Sequence, residues 1–315
     1  MVDGKFSAKA PVLSGVPQGT VFGPIAFLFY INDLANNIQS SVRLFADDCL
    51  VYSPADQDSI SSTLQHDLGT LEKWQDDWMM SFNPSKCVTM TIGMRNPPNH
   101  VYEFCGQQLE TVESHPYLGV YFNNTLTWSE HITEVCKKAQ RVLGLIRRNL
   151  WGCNVQVKSA AYTTLVRPLL EYATTAWDSS NQTNSKRLTR VQRQAARFCK
   201  REYSREEGTV TRILNELEWE PLEDRRELKK VTMFYKINQG LVDIAASEHM
   251  VQQVNKGTRG HNQKYRQIRY RTSRYGDTFF PSTIPIWNNL PQSAVNAITI
   301  DGFKEAAKRS LRGRY

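Results

Sequence analysis

Apolar and polar positions change period several times along the chain, and each change predicts an element. Residues 24–34 follow a loop punctuated by Gly and Pro (13–20) and predict a helix with Pro24 in its first turn, where a missing N–H costs nothing. Two short apolar runs flank Asp47 and Asp48 and predict a hairpin, with strands at 41–46 and 49–53. From Asp58 the spacing lengthens. Ile60, Leu64, Leu68, Leu71, Trp74 and Trp78 recur every three or four positions, which predicts an amphipathic helix over 58–80, ended by Asn83 and Pro84. Strands follow at 86–92, at 101–104 with 108–111 around Gly106, and at 117–122.

Beyond Trp128 the pattern turns helical. Ile132, Val135, Ala139, Val142, Leu143 and Ile146 form one face of a helix over 130–150, and further helices are predicted at 158–170, 186–200 and 222–237. Residues 255–276 then carry Lys256, Arg259, Lys264, Arg266, Arg269, Arg271 and Arg274 with no acid, and FFPSTIPIWNNLP (279–291) follows. The organisation expected is α+β over 1–130, mainly helical over 131–250, and a basic C-terminal region over 251–315.

With 315 residues, 40% hydrophobic and 22% charged, the chain can bury a real core and is neither collagen-like nor low-complexity. The net charge of +8 is unevenly spread. Six Lys and Arg face 14 Asp and Glu in residues 1–130, against 33 and 17 afterwards. An acidic front and a basic back suggest two functional surfaces. Six Cys without a CxxC pair favour reduced, packed thiols over zinc or a disulfide scaffold. Residues 1–10 lack the apolar stretch of a signal peptide. The longest apolar run, 21–31, is eleven residues broken by Gly23 and Pro24, which excludes it as a membrane span. An intracellular protein is expected, with nucleus and cytoplasm both open. The six His lack ligand spacing, and Trp151, Trp177, Trp219 and Trp287 are expected to pack between helices.

The strongest candidate chemistry is Asp47–Asp48. Adjacent carboxylates on a tight turn repel each other, and a hard divalent cation such as Mg²⁺ relieves that repulsion while keeping waters and accepting phosphate oxygens. Two Asp at a turn can equally be plain solvent-facing residues. The second candidate is GVPQGTVFGP (15–24). Gly15 and Gly19 permit positive φ, Gln18 can donate and accept, and the helix that follows offers unpaired N–H groups. The loop lacks the GK[ST] ending of a phosphate-binding P-loop. In the basic half, Lys137, Lys138, Arg141, Arg147 and Arg148, then Arg190, Arg193 and Arg197, recur at helical spacing and could contact phosphates. Arg266, Arg269, Arg271 and Arg274, interleaved with Tyr265, Tyr270 and Tyr275, suit single-stranded or structured RNA.

Taken together, PQGTVFGPIAFLFYINDL (17–34), LFADD (44–48), WMMSFNPSKCVTM (78–90), YLGV (117–120) and HITEVCKKAQRVLGLIRR (131–148) resemble the reverse transcriptases of non-LTR retrotransposons of the jockey and CR1 type. The resemblance extends to FFPSTIPIWNNLP and implies a partial palm, an antiparallel sheet with helices, over 1–130. It implies a helical thumb over 131–250 and a basic C-terminal region over 251–315. By the same resemblance Asp47 and Asp48 are catalytic metal ligands for Mg²⁺, with Mn²⁺ as an alternative. Gln18, Gly19, Phe45 and Lys86 lie by the incoming nucleotide and template, and Tyr117, Leu118 and Gly119 form a tight turn that steadies the primer end. The implied activity is RNA-directed DNA synthesis, with an RNA template, a DNA primer or RNA–DNA hybrid, and deoxynucleoside triphosphates as partners.

The family's fingers and the strand carrying a further catalytic Asp precede the PQG loop, and only ten residues precede Pro11 here. Asp3 and Asp33 are poor substitutes for that Asp. The expectation is therefore a polymerase fragment, inactive by itself unless an upstream fragment complements it. The alternative is a non-catalytic nucleic-acid-binding protein that uses the basic half.

Overall fold

The computed structural model describes residues 15–16, 19–54, 60–93, 100–253 and 260–312. The chain divides into two compact units, Met1–Glu113 and Ser114–Tyr315.

The first unit mixes helices with short ladders. Helix α1 (Phe22–Tyr30) starts where the Thr20 hydroxyl accepts from the Gly23 N–H at 3.1 Å, and turns continue to residue 37. Strands β1 (Ser41–Phe45) and β2 (Asp48–Tyr52) pair antiparallel, closing on Phe45 opposite Asp48. Helix α2 (Ile60–Trp78) follows, then a 3-10 turn at Pro84–Lys86, and β3 (Val88–Thr89). Strands β4 (Glu103–Phe104) and β5 (Gln107–Gln108) form the hairpin expected around Gly106. The neighbouring β6 (Glu110–Thr111) leaves that hairpin and pairs parallel with β3. The resemblance implies an antiparallel sheet with helices; among the described residues the unit mixes helices with three two-stranded ladders, two antiparallel and one parallel.

The core of this unit is Ile31, Leu34, Leu71, Trp74 and Phe104. Trp74 donates its indole N–H to Asp33 at 2.9 Å. The fully buried Asp67 accepts the N–H groups of Gln39 and Ser40 at 3.0 and 2.9 Å, which fixes the chain's entry into β1. Burial penalises the Asp67 charge, but these hydrogen bonds outweigh it and hold its pKa below the usual range.

The second unit opens with a hairpin. Residues 117–122, expected as one strand, divide into β7 (Ser114–Tyr117) and β8 (Val120–Asn123) around a turn at Leu118 and Gly119, both at positive φ. Helix α3 (Ser129–Asn149) buries Ile132, Ala139, Leu143 and Ile146 and half-buries Val135 and Val142, the face its spacing predicts. The helix expected over 158–170 is interrupted: α4 (Val155–Ala161) passes through a π-helical turn at Tyr162–Val166 into α5 (Arg167–Glu171). A short α6 (Thr174–Trp177) follows Ala173, which sits at φ 50°. Helix α7 (Gln182–Lys200) is capped by the Asn181 side chain, which accepts from the N–H groups of Thr183 and Asn184. Helices α8 (Thr209–Glu216) and α9 (Leu222–Asn238) complete the first cluster, where Tyr162 stacks on Trp219 with centroids 4.1 Å apart.

A second cluster builds on α9. Phe234 and Tyr235 pack against Tyr265, Trp287 and Phe303, which belong to the region expected as a basic extension. That region is helical: α10 (Ser273–Gly276), α11 (Phe279–Asn288), α12 (Gln292–Val295) and α13 (Ile300–Arg312). Helix α11 forms around Pro285 because Trp287 and Ile284 gain full burial, which outweighs the one backbone bond that a proline removes. Trp177, Trp219 and Trp287 are buried as expected, whereas Trp151 is 52% exposed and lies under the Arg201 guanidinium.

Candidate functional site

At the tip of the β1–β2 hairpin, Ala46 and Asp47 form a two-residue turn and Asp48 is the first residue of β2. Both carboxylates are exposed. Neither makes a hydrogen bond or ion pair with another described residue, so their oxygens are open to solvent or a cation. Ala46 has φ 51°, a left-handed conformation that costs a Cβ-bearing residue about 1 kcal/mol. Phe45, 62% exposed, flanks the pair. Two hard oxygen donors with free lone pairs suit a mostly hydrated divalent cation. Among the described residues no group of three or more His, Cys, Asp or Glu is gathered closely enough to hold a metal.

Gly19 lies at φ 80° and Gly15 at φ 91°, the conformations expected of them. Gln18 and Asp3 fall outside the described residues. Lys86 is exposed on the 3-10 turn, its backbone N–H donating to Asn83 at 3.0 Å. No helix in the described residues is long and apolar enough to cross a membrane.

In the second unit, two residues with no marking pattern in the sequence hold the β7–β8 hairpin, Tyr172 at its turn and His131 on β8. Tyr172 donates its hydroxyl to the Leu118 carbonyl at 2.9 Å, and its ring lies where a Cβ on Gly119 would approach to 3.3 Å. His131, on α3, accepts the Tyr121 N–H through Nδ1 at 3.2 Å and meets Trp177 edge-on. Burial, then the Lys138 charge, pushes the His131 pKa down to about 4, so the ring is neutral.

The candidate phosphate-contacting cations divide by environment. Lys138, Arg141, Arg147 and Arg148 are exposed along α3, and Lys137 is exposed but paired with Glu134 at 2.6 Å. Arg266, Arg269, Arg271 and Arg274 are exposed, as are Tyr270 and Tyr275. Tyr265, expected beside them as a stacking ring, is instead buried, with its hydroxyl bonded to Asn238. Arg226 and Lys230 are also internal, both paired with Asp178 at 2.7 and 2.6 Å.

Comparison with known proteins bears on the first part of the chain. The family model for reverse transcriptase (RNA-dependent DNA polymerase) matches residues 1–122, which takes in the carboxylate hairpin and the Leu118–Gly119 turn. Residues 1–122 belong to the reverse transcriptase family. The chain is 28% identical over 188 residues to the RNA-directed DNA polymerase from mobile element jockey of Drosophila melanogaster, covering 54% of this chain and 20% of that protein. It is 25% identical over 250 residues to the probable RNA-directed DNA polymerase from transposon X-element of the same organism, covering 74% of this chain and 25% of that protein. The transposon BS enzyme, also of that organism, is 26% identical over 210 residues, 62% of this chain and 23% of its own length. The chain is thus similar to reverse transcriptases of jockey-type mobile elements, and it spans a fifth to a quarter of the curated relatives it matches. No solved structure shows a significant match.

Proposed function

We propose that the chain contributes two parts of an RNA-directed DNA polymerase: a palm segment with its carboxylate pair in the first unit, and a thumb-like, nucleic-acid-binding second unit. The observation that carries the reading is the open Asp47–Asp48 pair on a family-matched hairpin. These two residues would hold Mg²⁺, or Mn²⁺, which when bound supplies charge stabilisation to the reacting phosphate and acidifies the primer hydroxyl. Asp47 and Asp48 orient that site from a strand-fixed turn, Phe45 lines its edge, and Gln18, Gly19 and Lys86 flank the nucleotide and template. Tyr117, Leu118 and Gly119 steady the primer end, supported by Tyr172 and His131. Exposed cations of α3 and of residues 266–274 hold template, primer or hybrid through phosphates.

Among the described residues no third carboxylate is gathered with Asp47 and Asp48, so we propose that this polypeptide by itself extends primers at a level close to background. Primer extension on an RNA template with Mg²⁺ or Mn²⁺, beside an Asp47→Asn/Asp48→Asn variant, tests this. Robust extension lost in the variant would show that the 315-residue chain is a sufficient polymerase. Robust extension retained in the variant would overturn the assignment of these carboxylates.

The second reading, nucleic-acid binding without catalysis, is favoured by the exposure of Arg266, Arg269, Arg271 and Arg274 beside Tyr270 and Tyr275. It predicts steeply salt-dependent binding that the carboxylate variant leaves unchanged.

A further inference from the structure

Residues 171–175 join α5 to α6 and serve two surfaces. On one, Tyr172 holds the Leu118–Gly119 turn. On the other, Glu171, Ala173, Thr174 and Thr175 line a cleft of about 380 Å³ completed by α9 and by Lys304 of α13. That volume lies within the range of small-ligand sites and exceeds what a lone inorganic anion fills.

The cleft has a division of charge. Its floor carboxylate, Glu171, is buried and already engaged by Arg225, and by Lys229 at 3.0 Å. Burial raises the Glu171 pKa, but Arg225 and then Lys229 more than offset this, so the group stays ionised and its lone pairs are occupied. The Lys236 ammonium has no partner among the described residues. Lys304 holds only Asp301, at 3.1 Å and 91% exposed, a surface pair of little worth. Arg225 also meets Glu220 at 3.3 Å, so the cations left for a ligand are Lys236 and the loosely held Lys304. Thr174 is 1% exposed, and its hydroxyl is buried without a hydrogen-bond partner. Leu228 and Met233 give one wall an apolar surface.

We propose that this cleft binds a nucleotide unit by its phosphate, with Lys236 and Lys304 as the anion's ligands and Leu228 and Met233 against the sugar and base. Two flexible ammonium groups suit a phosphate as point charges, and an apolar wall suits the rest of a nucleotide better than a hydrated inorganic ion. The ligand is the end of a strand or a free nucleotide, since both present the same chemistry. The strand source rests on the second unit being the nucleic-acid-binding part, and the shared segment 171–175 would then place this phosphate contact next to the support of the Leu118–Gly119 turn.

Binding is measured on the full chain with adenosine 5′-monophosphate, with inorganic phosphate, and with a short labelled single strand in 5′-phosphorylated and unphosphorylated forms. The comparison is between the wild type and Lys236→Gln/Lys304→Gln, both at positions whose side chains reach solvent. The double variant is expected to lose about tenfold in affinity for the phosphorylated strand and less than twofold for its unphosphorylated twin. Saturable binding of the mononucleotide with the same loss assigns the free-nucleotide source, and loss confined to the strand assigns a strand end. Equal affinity of variant and wild type for every probe, or tighter binding of inorganic phosphate than of the nucleotide, overturns the proposal. An Arg147→Gln/Arg148→Gln variant on α3 separates this outcome from failure of the thumb reading. It should weaken both strands equally, and if it weakens neither while the cleft variant acts as expected, only the thumb reading falls.

Discussion

The two units solve the same packing problem with unequal resources. The helical unit buries two clusters, including Trp177, Trp287, Phe198, Phe234 and Phe303 at 1% exposure or less. Among the described residues the first unit's hydrophobic core holds five buried side chains, and much of its most apolar helix lies outside it: Phe29 is 87% exposed, Phe22, Ile25 and Leu28 are exposed, and so is Val21 just before the helix. Its ladders are two-stranded, an arrangement that is marginal without a neighbouring layer. The carboxylate pair therefore sits on the less supported part of the molecule, while the basic surface sits on a scaffold with its own deep core. That contrast implies separable behaviour: damage to the helical core should abolish folding and binding, whereas changes at the hairpin should be local.

The largest expected effect is in the helical unit. Asp178 neutralises both Arg226, 3% exposed, and Lys230, 9% exposed. Asp178→Ala leaves two internal cations unpaired and should cost about 3–5 kcal/mol. Urea unfolding followed by tryptophan fluorescence measures it; a loss below about 1 kcal/mol would mean that these pairs behave as surface ones.

An effect of intermediate size follows from His131. With a pKa near 4 in the folded chain and 6.5 as its ordinary value, the unfolded chain takes up a proton between those pH values that the folded chain refuses. The contribution is therefore complete above pH 6.5 and is lost as pH falls through the window to 4, on the order of 2–3 kcal/mol. Protonated Nδ1 also ceases to accept from Tyr121, which should loosen the hairpin. Unfolding free energies measured across this range should slope upward with pH in the wild type, and His131→Gln should flatten the slope.

These features also show where the sequence could be read and where it could not. Helices α2 and α3 were readable because their apolar positions repeat within one element, and the hairpin because two apolar runs bracket Asp47 and Asp48. Arg226 and Lys230 resemble solvent-facing residues of a charged helix, and only the distant Asp178 makes them internal. Helix α11 hides behind Pro281 and Pro285, since its stability comes from Trp287 packing on α9 and α13. The Leu118–Gly119 turn needs a non-glycine residue at positive φ, which local preference disfavours and the Tyr172 contact supports. Of the candidate site, the hairpin that carries the carboxylates and the positive-φ glycines were legible, while Tyr172 and His131 act through long-range bonds that leave no motif.

The smallest effect belongs to the hairpin. Ala46→Gly removes the left-handed strain and should change stability by no more than about 0.5–1 kcal/mol in favour of the folded state. Hydrogen exchange at β1 and β2 should show it, with amides of α3 and α9 unchanged. If those helices respond equally, the units are not energetically separate.

The central claim is that nucleic-acid binding resides in the helical unit and metal chemistry in the hairpin. The direct test is fluorescence anisotropy of a labelled RNA–DNA hybrid across a salt series, with wild type, Asp47→Asn/Asp48→Asn and Arg147→Gln/Arg148→Gln compared. The account predicts steep salt dependence, a slope reduced by about 1–2 in the arginine variant, and affinity within about twofold of wild type in the carboxylate variant. Salt-independent binding, or an arginine variant identical to wild type beside a carboxylate variant that no longer binds, would contradict it.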